Sequence, residues 1–447
     1  MLTDISSQYA IRYDPYITVT NIGYIKVLVN YYDFLVSNMK SILAHTLFDG
    51  YRFIKEVYVV FDGDKIMGIA SEPKGDVIGE GFVTPALIDS HSHIGMVRHA
   101  EPSVESEVNE QADLFLPDLD PLDSVYFDDK YFRDAVEFGV LYSCIVPGSG
   151  NLIGGKAVVI RNFASNRREA PVRYIGYKMA LGYNPRSTYL IWRGKRFHTR
   201  MGVYAFLHRK FHEVLKKKVK IEWRIRQRER ILRRRMEKGL ISKEEFGEEI
   251  RELREVLMME FSPVDRAILE ILNREKRIKV HVHKEDDAIF LVEIMKRYNL
   301  VGMADHLEDV HHLEIFRFLR DNDVPIVYGP IDSLAYKTEL KHESYRNVKL
   351  LIESGAKFSL MTDHPVVLSR NLILGLRYFL MYGMGEEEAL AVITRNAAEI
   401  LGIDDLLGTI EPGKLASLVV WDRNPFYLGA KPILVIGEGK ILYRWEE

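Results

Sequence analysis

From about residue 85 to residue 405 the chain alternates short apolar runs with amphipathic helical patterns, and this alternation limits the fold more than any other feature. The runs include Val140 to Val146, Ile278 to Val282, Pro325 to Tyr328 and Lys357 to Met361. Helical patterns such as Asp287 to Tyr298 and Leu313 to Asp321 separate them. Strand, crossover helix and strand in repetition mean a parallel sheet wrapped by helices. At 447 residues, a (β/α)8 TIM barrel takes most of the chain as one unit. The flanks read differently. Residues 15 to 84 are mostly strand-like, as in Val57 to Phe61 before the turn Asp62-Gly63-Asp64, and residues 31 to 49 look more helical. Residues 408 to 447 return to strands at Ser417 to Trp421, Ile433 to Ile436 and Ile441 to Tyr443. We therefore expect residues 1–84 and 408–447 to pair into one small sheet domain and residues 85–407 to form the barrel.

Residues 203–275 interrupt the alternation. The stretch from 209 to 238 is strongly basic, and Ile221, Ile225, Leu232 and Met236 recur at helical spacing. Gly239 ends that helix, and Ser242 with Glu245 predicts a capping box for an acidic second helix. The expectation is a helical hairpin inserted into the barrel, its basic arm facing its acidic arm.

Composition excludes little more. Apolar residues make up 47% and charged residues 28%, with a net charge of -3, so the whole molecule has no global pull toward nucleic acid or an anionic membrane. No run approaches the length of a bilayer span, and Met1 to Asp14 has no signal-peptide pattern. The single cysteine, Cys144, rules out an intrachain disulfide and points to a cytoplasmic protein.

The chemistry is concentrated at strand ends. Val83 to His93 is an apolar strand finishing in His91-Ser92-His93. Residues two apart on a strand point the same way, so both imidazoles face one side, an arrangement suited to a zinc-class ion. The pattern returns at His281 and His283, again at His306, and at Asp363-His364 after Leu360. In a parallel barrel those strand ends meet at one face, where active sites sit.

Together these segments resemble the amidohydrolase superfamily of metal-dependent hydrolases. The resemblance rests on Pro85 to His93, the later strand-end histidines, Thr362-Asp363, and Gly408 to Lys414 before a strand. More narrowly, Pro147 to Gly155, Lys178 to Pro185 and Thr199 to Gly202 resemble imidazolonepropionase-related members. The resemblance implies a composite β-sandwich from both termini beside the barrel. It implies one ion held by His91, His93 and Asp363, with His281 and His306 binding a second ion or orienting substrate. It places Lys178 where two-metal members carry a carboxylated bridging lysine. His281 is preferred to His283 as ligand, leaving His283 to the substrate. The ion would be Zn2+, one or two per chain. Ala86 and Ser417 depart from the family's usual Gly and Asp.

On this reading Asp363 and His306 are the catalytic residues. Asp363 accepts the proton of an activated water, and His306 steadies the developing oxyanion or completes the second metal site. Asn151, Tyr183 and Arg186 lie on loops after strands and are candidates for binding a small-molecule substrate, Arg186 through a carboxylate. Cleavage of a C–N bond in a cyclic amide, an acyl-amino acid or a dipeptide is the leading expectation. Deamination of a heterocyclic base and a non-catalytic binding role for the basic hairpin stay open. Gly150 to Lys156 fits the start of a phosphate loop but continues with Ala157, so nucleotide binding is not expected. Nor is nucleic acid, because the acidic residues of 244 to 260 oppose the basic run; homo-oligomerisation is left open. His311-His312 is expected to face solvent on a helix.

Overall fold

A computed structural model describes residues 39–186, 197–335 and 337–446. The part of the composite sheet domain expected before residue 39 lies outside the described residues. The helical reading of 31 to 49 fails where it can be checked. Residues 39–48 form a strand, because Met39 to Phe48 is an alternating, half-buried segment that pairs on both sides.

Strands β1 (Met39–Phe48), β2 (Phe53–Asp62), β3 (Lys65–Ala70) and β4 (Asp76–Pro85) open the described chain. Eight strands follow in the barrel: β5 (Leu87–Ser92), β6 (Val140–Ile145), β7 (Ile153–Arg161), β8 (Pro171–Ala180), β9 (Arg277–Val282), β10 (Gly302–His306), β11 (Ile326–Tyr328) and β12 (Phe358–Leu360). Strands β13 (Leu418–Trp421), β14 (Pro432–Gly437) and β15 (Lys440–Arg444) close the chain.

Both ends of the described chain share one seven-stranded sheet, in the order β15-β14-β13-β4-β1-β2-β3. The join is β13 running antiparallel to β4, with Leu418 opposite Pro85 and Trp421 opposite Phe82. The sheet encloses its own small core, in which Ile42, Val59, Ile66 and Val83 pack with Leu418, Leu434 and Ile436.

The barrel strands lie in chain order from β5 to β12. A parallel bridge between Ser92 and His364 links β5 to the segment after β12, and the Asp363 N–H donates to His91 O. One expectation is corrected. The third strand, β7, runs antiparallel to both neighbours, so seven strands are parallel and one is not. Residues 146–152 and 162–170 are too short for crossover helices, which need a dozen or more residues, and the chain turns back as hairpins. The segment read as a failed phosphate loop is accordingly the entry to β7.

The insertion lies between β8 and β9. It begins earlier and is larger than a hairpin, with helices at Arg200–Glu237, Lys243–Met258 and Pro263–Leu272. The first half of the long helix covers the barrel, burying Val203, Leu207, Phe211 and Val214. Its second half leaves the barrel surface as the basic arm. The predicted capping box is present: Ser242 Oγ accepts from Glu245 N–H, and Glu245 accepts from Ser242 N–H. The arms do face each other, through Arg228 to Glu249 at 2.9 Å and an ion pair between Arg224 and Glu260.

Candidate metal centre

The strand ends bring the predicted residues to one face. His91 lies near the end of β5 and His93 just beyond it. Lys178 is on β8, His281 and His283 follow each other on and after β9, His306 ends β10, and Asp363 follows β12. The rings of His91 and His306 are 5.0 Å apart, those of His281 and His306 4.3 Å, and those of His283 and His306 4.8 Å. Two groups of donors result: His91, His93 and Asp363 in one, and His281, His283 and His306 in the other. Within each, one ligand atom per residue lies within 4.8 Å of the others.

The hydrogen bonds behind the rings set which nitrogen faces the pocket. Burial holds His91, His281, His283 and His306 well below the ordinary imidazole value of 6.5, so they are neutral. A neutral ring has one N–H. His91 directs Nδ1 at Asp305 Oδ2 (2.8 Å), His93 at Val146 O (2.8 Å), His283 at Glu308 Oε2 (2.7 Å) and His306 at Gly329 O (3.0 Å). The backbone carbonyls accept only and Asp305 accepts as the anion of its cluster, so His91, His93 and His306 donate from Nδ1 and turn Nε2 toward the pocket; at His283 the raised Glu308 carboxyl can itself be the donor. Metal-bound histidines are held in the same way. His281 is the exception, with its Nδ1 buried and unpartnered and its Nε2 3.4 Å from Asn184 Nδ2.

Asp363 Oδ1 lies 3.1 Å from His93 Nε2 and 3.4 Å from His91 Nε2. The two ring nitrogens and the carboxylate oxygen thus converge on one point, beside the Lys178 ammonium 3.5 Å from His91 Nε2, as the ligands of a cation do. The donor set, imidazole nitrogen with carboxylate oxygen, fits a zinc-class ion. Backbone geometry is unusual at the same residues: His306 has φ +79° and Asp363 φ +49°. Such left-handed conformations in non-glycine residues cluster at functional sites.

Lys178 is fully buried, its Nζ 3.5 Å from His91 Nε2 and 3.6 Å from Asp305 Oδ2. Burial pulls its ammonium down to about 8, against the opposing charge of Asp305. His364 stacks edge-on against Tyr131 and accepts from Ser369 N–H. The substrate candidates part company. Asn151 spends its amide N–H groups on Glu110 O and Asp113 O, which ties down the loop before β7. Arg186 lies over the Tyr183 ring at 5.2 Å, and its Nε is buried without a hydrogen bond. His311-His312 precedes the helix Leu313–Arg320 instead of lying on it.

Several buried partners were not anticipated. Lys279 donates to Asp305 at 2.9 Å, and Asp89 accepts from Thr362 N–H at 3.0 Å while burial raises its carboxyl to about 6. Counting back by two from His281 and His91 would have found both, since alternate residues share a face. Asp305 has no such signal, since it adjoins His306, whose backbone is left-handed, and yet reaches His91 and Lys279. Glu308, raised well above the usual carboxylate range by burial, sits on a loop and Glu339 on the single 3-10 turn Thr338–Leu340, neither with a periodic signal. Glu339 accepts from Tyr183 N–H at 2.8 Å, and its other oxygen lies 3.8 Å from His281 Nε2.

Comparison with known proteins bears on the family and the fold. Residues 222–442 match the Amidohydrolase family model. The chain is 27% identical over 390 residues to amidohydrolase tasK of Hapsidospora irregularis, across 83% of this chain and 38% of that protein. It is 25% identical over 153 residues to an imidazolonepropionase of Picrophilus torridus, across 34% of this chain and 37% of that protein. The chain thus spans less than two fifths of the length of these curated relatives. The crystal structure of an amidohydrolase from Thermotoga maritima superposes with a TM-score of 0.77 and 26% identity, over 91% of this chain and all of that one. Sequence family, barrel and sheet domain coincide: the chain belongs to the amidohydrolase superfamily.

Proposed function

We propose that this protein is a metal-dependent hydrolase that cleaves a C–N bond in a cyclic amide, a small acyl-amino acid or a dipeptide. The observation that carries the reading is the convergence of His91 Nε2, His93 Nε2 and Asp363 Oδ1 on one point, beside a second histidine group. His91, His93 and Asp363 would hold one divalent ion, and His281 and His306 a second, with Lys178 between the groups. Bound there, a Zn2+ ion lowers the pKa of water toward neutrality and polarises a carbonyl.

The chain's own residues do the rest. Asp363 takes the proton of the attacking water on its free carboxylate oxygen and gives it to the leaving nitrogen. Asp305 holds the His91 ring in one tautomer. His306, whose N–H is held by Gly329 O, would act on the developing oxyanion only through an ion bound at its Nε2. Arg186 Nε and Glu339 Oε1 are both buried without hydrogen bonds and flank Tyr183. They suit a substrate carrying a carboxylate and, nearby, an amine or ring N–H. The lone, buried Cys144 fits a reducing cytoplasm.

Metal analysis of the purified chain, joined to a hydrolysis screen over cyclic amides, acyl-amino acids and dipeptides, tests the proposal. Bound zinc-class metal and turnover that Asp363→Asn removes are expected. Absence of metal, or full activity in Asp363→Asn, would sink it. Ammonia release from a purine or pyrimidine would instead identify a deaminase.

A further inference from the structure

A second cluster of metal-ligating side chains lies on the loops outside the barrel mouth. Asp309 follows Glu308 in the loop after β10, and His311 is two residues further on. His342 comes from the segment after β11. The rings of His311 and His342 are 4.0 Å apart. One ligand atom each from Asp309, His311 and His342 lies within 4.8 Å of the other two.

Local hydrogen bonds aim these groups. His311 Nδ1 lies 2.8 Å from Asp309 O, a pure acceptor, and 3.5 Å from Glu285 Oε1, so the ring donates on that side and turns Nε2 away from it. The His311 N–H donates to Glu285 Oε1 at 3.0 Å, which fixes the backbone. Asp309 Oδ1 accepts from His342 N–H at 2.6 Å. Its other oxygen, buried with the rest of the carboxylate, has His342 Nδ1 at 3.5 Å and Lys284 Nζ at 3.6 Å. Lys284 is partly exposed and can swing into solvent as a cation enters. The three ligands arise from two loops that Asn347 already links, donating to both Glu308 O (2.9 Å) and His342 O (3.0 Å).

We propose that Asp309, His311 and His342 form a separate seat for one divalent d-block cation, such as Zn2+, Ni2+ or Cu2+, that clips the loop after β10 to the segment after β11. Two imidazoles and one carboxylate are the ligand mixture these ions prefer, and water can complete the shell. His312 pairs with Glu285 at 2.9 Å; with His311 these two form a competing triad, which the partly exposed pair occupies with its own contact and which His312→Ala tests. The site is distinct from the barrel-mouth donors, although Asp309 adjoins Glu308, the partner of His283.

The test uses the full chain, stripped with a chelator and dialysed against ZnCl2, with zinc counted by elemental analysis and folding checked by circular dichroism. His342→Ala and His311→Ala each lower uptake by about one equivalent relative to the parent chain, while His312→Ala does not. Cu2+ added to the stripped parent should give an electron paramagnetic resonance signal with nitrogen coupling that His342→Ala removes. Equal uptake by parent and His342→Ala overturns the proposal, as does loss of the equivalent in His312→Ala with His342→Ala unaffected. The comparison is a difference between variants, so it stands even if the barrel mouth binds no metal.

Discussion

Asp305 illustrates how much of this site depends on single buried charges. It is fully enclosed, and it accepts from His91 Nδ1 and Lys279 Nζ with Lys178 Nζ close by. Burial raises its carboxyl, but the two lysines oppose that shift, so the charge is carried by the cluster. Asp305→Asn leaves two enclosed ammonium groups without their counter-ion, and removing one partner of such a group costs about 3–5 kcal/mol. Denaturant unfolding should show a loss of unfolding free energy of that order, whereas His45→Ala, on an exposed strand position, should show almost none. The imidazoles lead to a second expectation at this scale. Their folded values lie well below 6.5 because of burial. A lowered value means the neutral, ligand-competent form persists as pH falls through the range where ordinary histidines protonate. Zinc retained by His342→Ala, which leaves only the barrel mouth to count, should therefore match between dialysis at pH 6 and at pH 7.5, and a steep loss between them would contradict the assigned burial.

At the scale of elements, the long helix Arg200–Glu237 does two jobs. Its first half is apolar on one side and packs Val203, Leu207, Phe211 and Val214 into the main core. Its second half is an arm whose cations are partly spent on Glu249, Glu260 and Asp265. The acidic helix Lys243–Met258 depends on its cap, because it buries only Leu257 fully. Ser242→Ala removes the acceptor for Glu245 N–H, a change worth about 1 kcal/mol in a helix. Hydrogen exchange should speed up in residues 243–250 while the barrel strands stay protected. Unchanged exchange would mean that packing, not capping, holds this helix.

At the scale of the molecule, the sheet domain is built from distant parts of the chain, and no helix among the described residues is long and apolar enough to cross a membrane. Truncation after residue 414 removes β13 to β15. It uncovers the β4 edge and the apolar faces of Ile42, Val59 and Val83. An exposed strand edge beside bared core recruits other chains, so the truncated protein should aggregate and bind a hydrophobic dye that the full chain does not. Local chemistry already carried the helices, most barrel strands, the capping box and the strand-end histidines, because hydrophobic period and cap residues act over a few neighbours. The antiparallel turn of β7 came instead from loop length competing with sheet closure. The tautomers of the rings, the inward direction of Asp305, and the approach of Glu308, Glu339 and the His311–His342 pair were decided only in three dimensions. Each depends on groups far apart in the chain meeting where water is excluded, and no local pattern encodes that meeting.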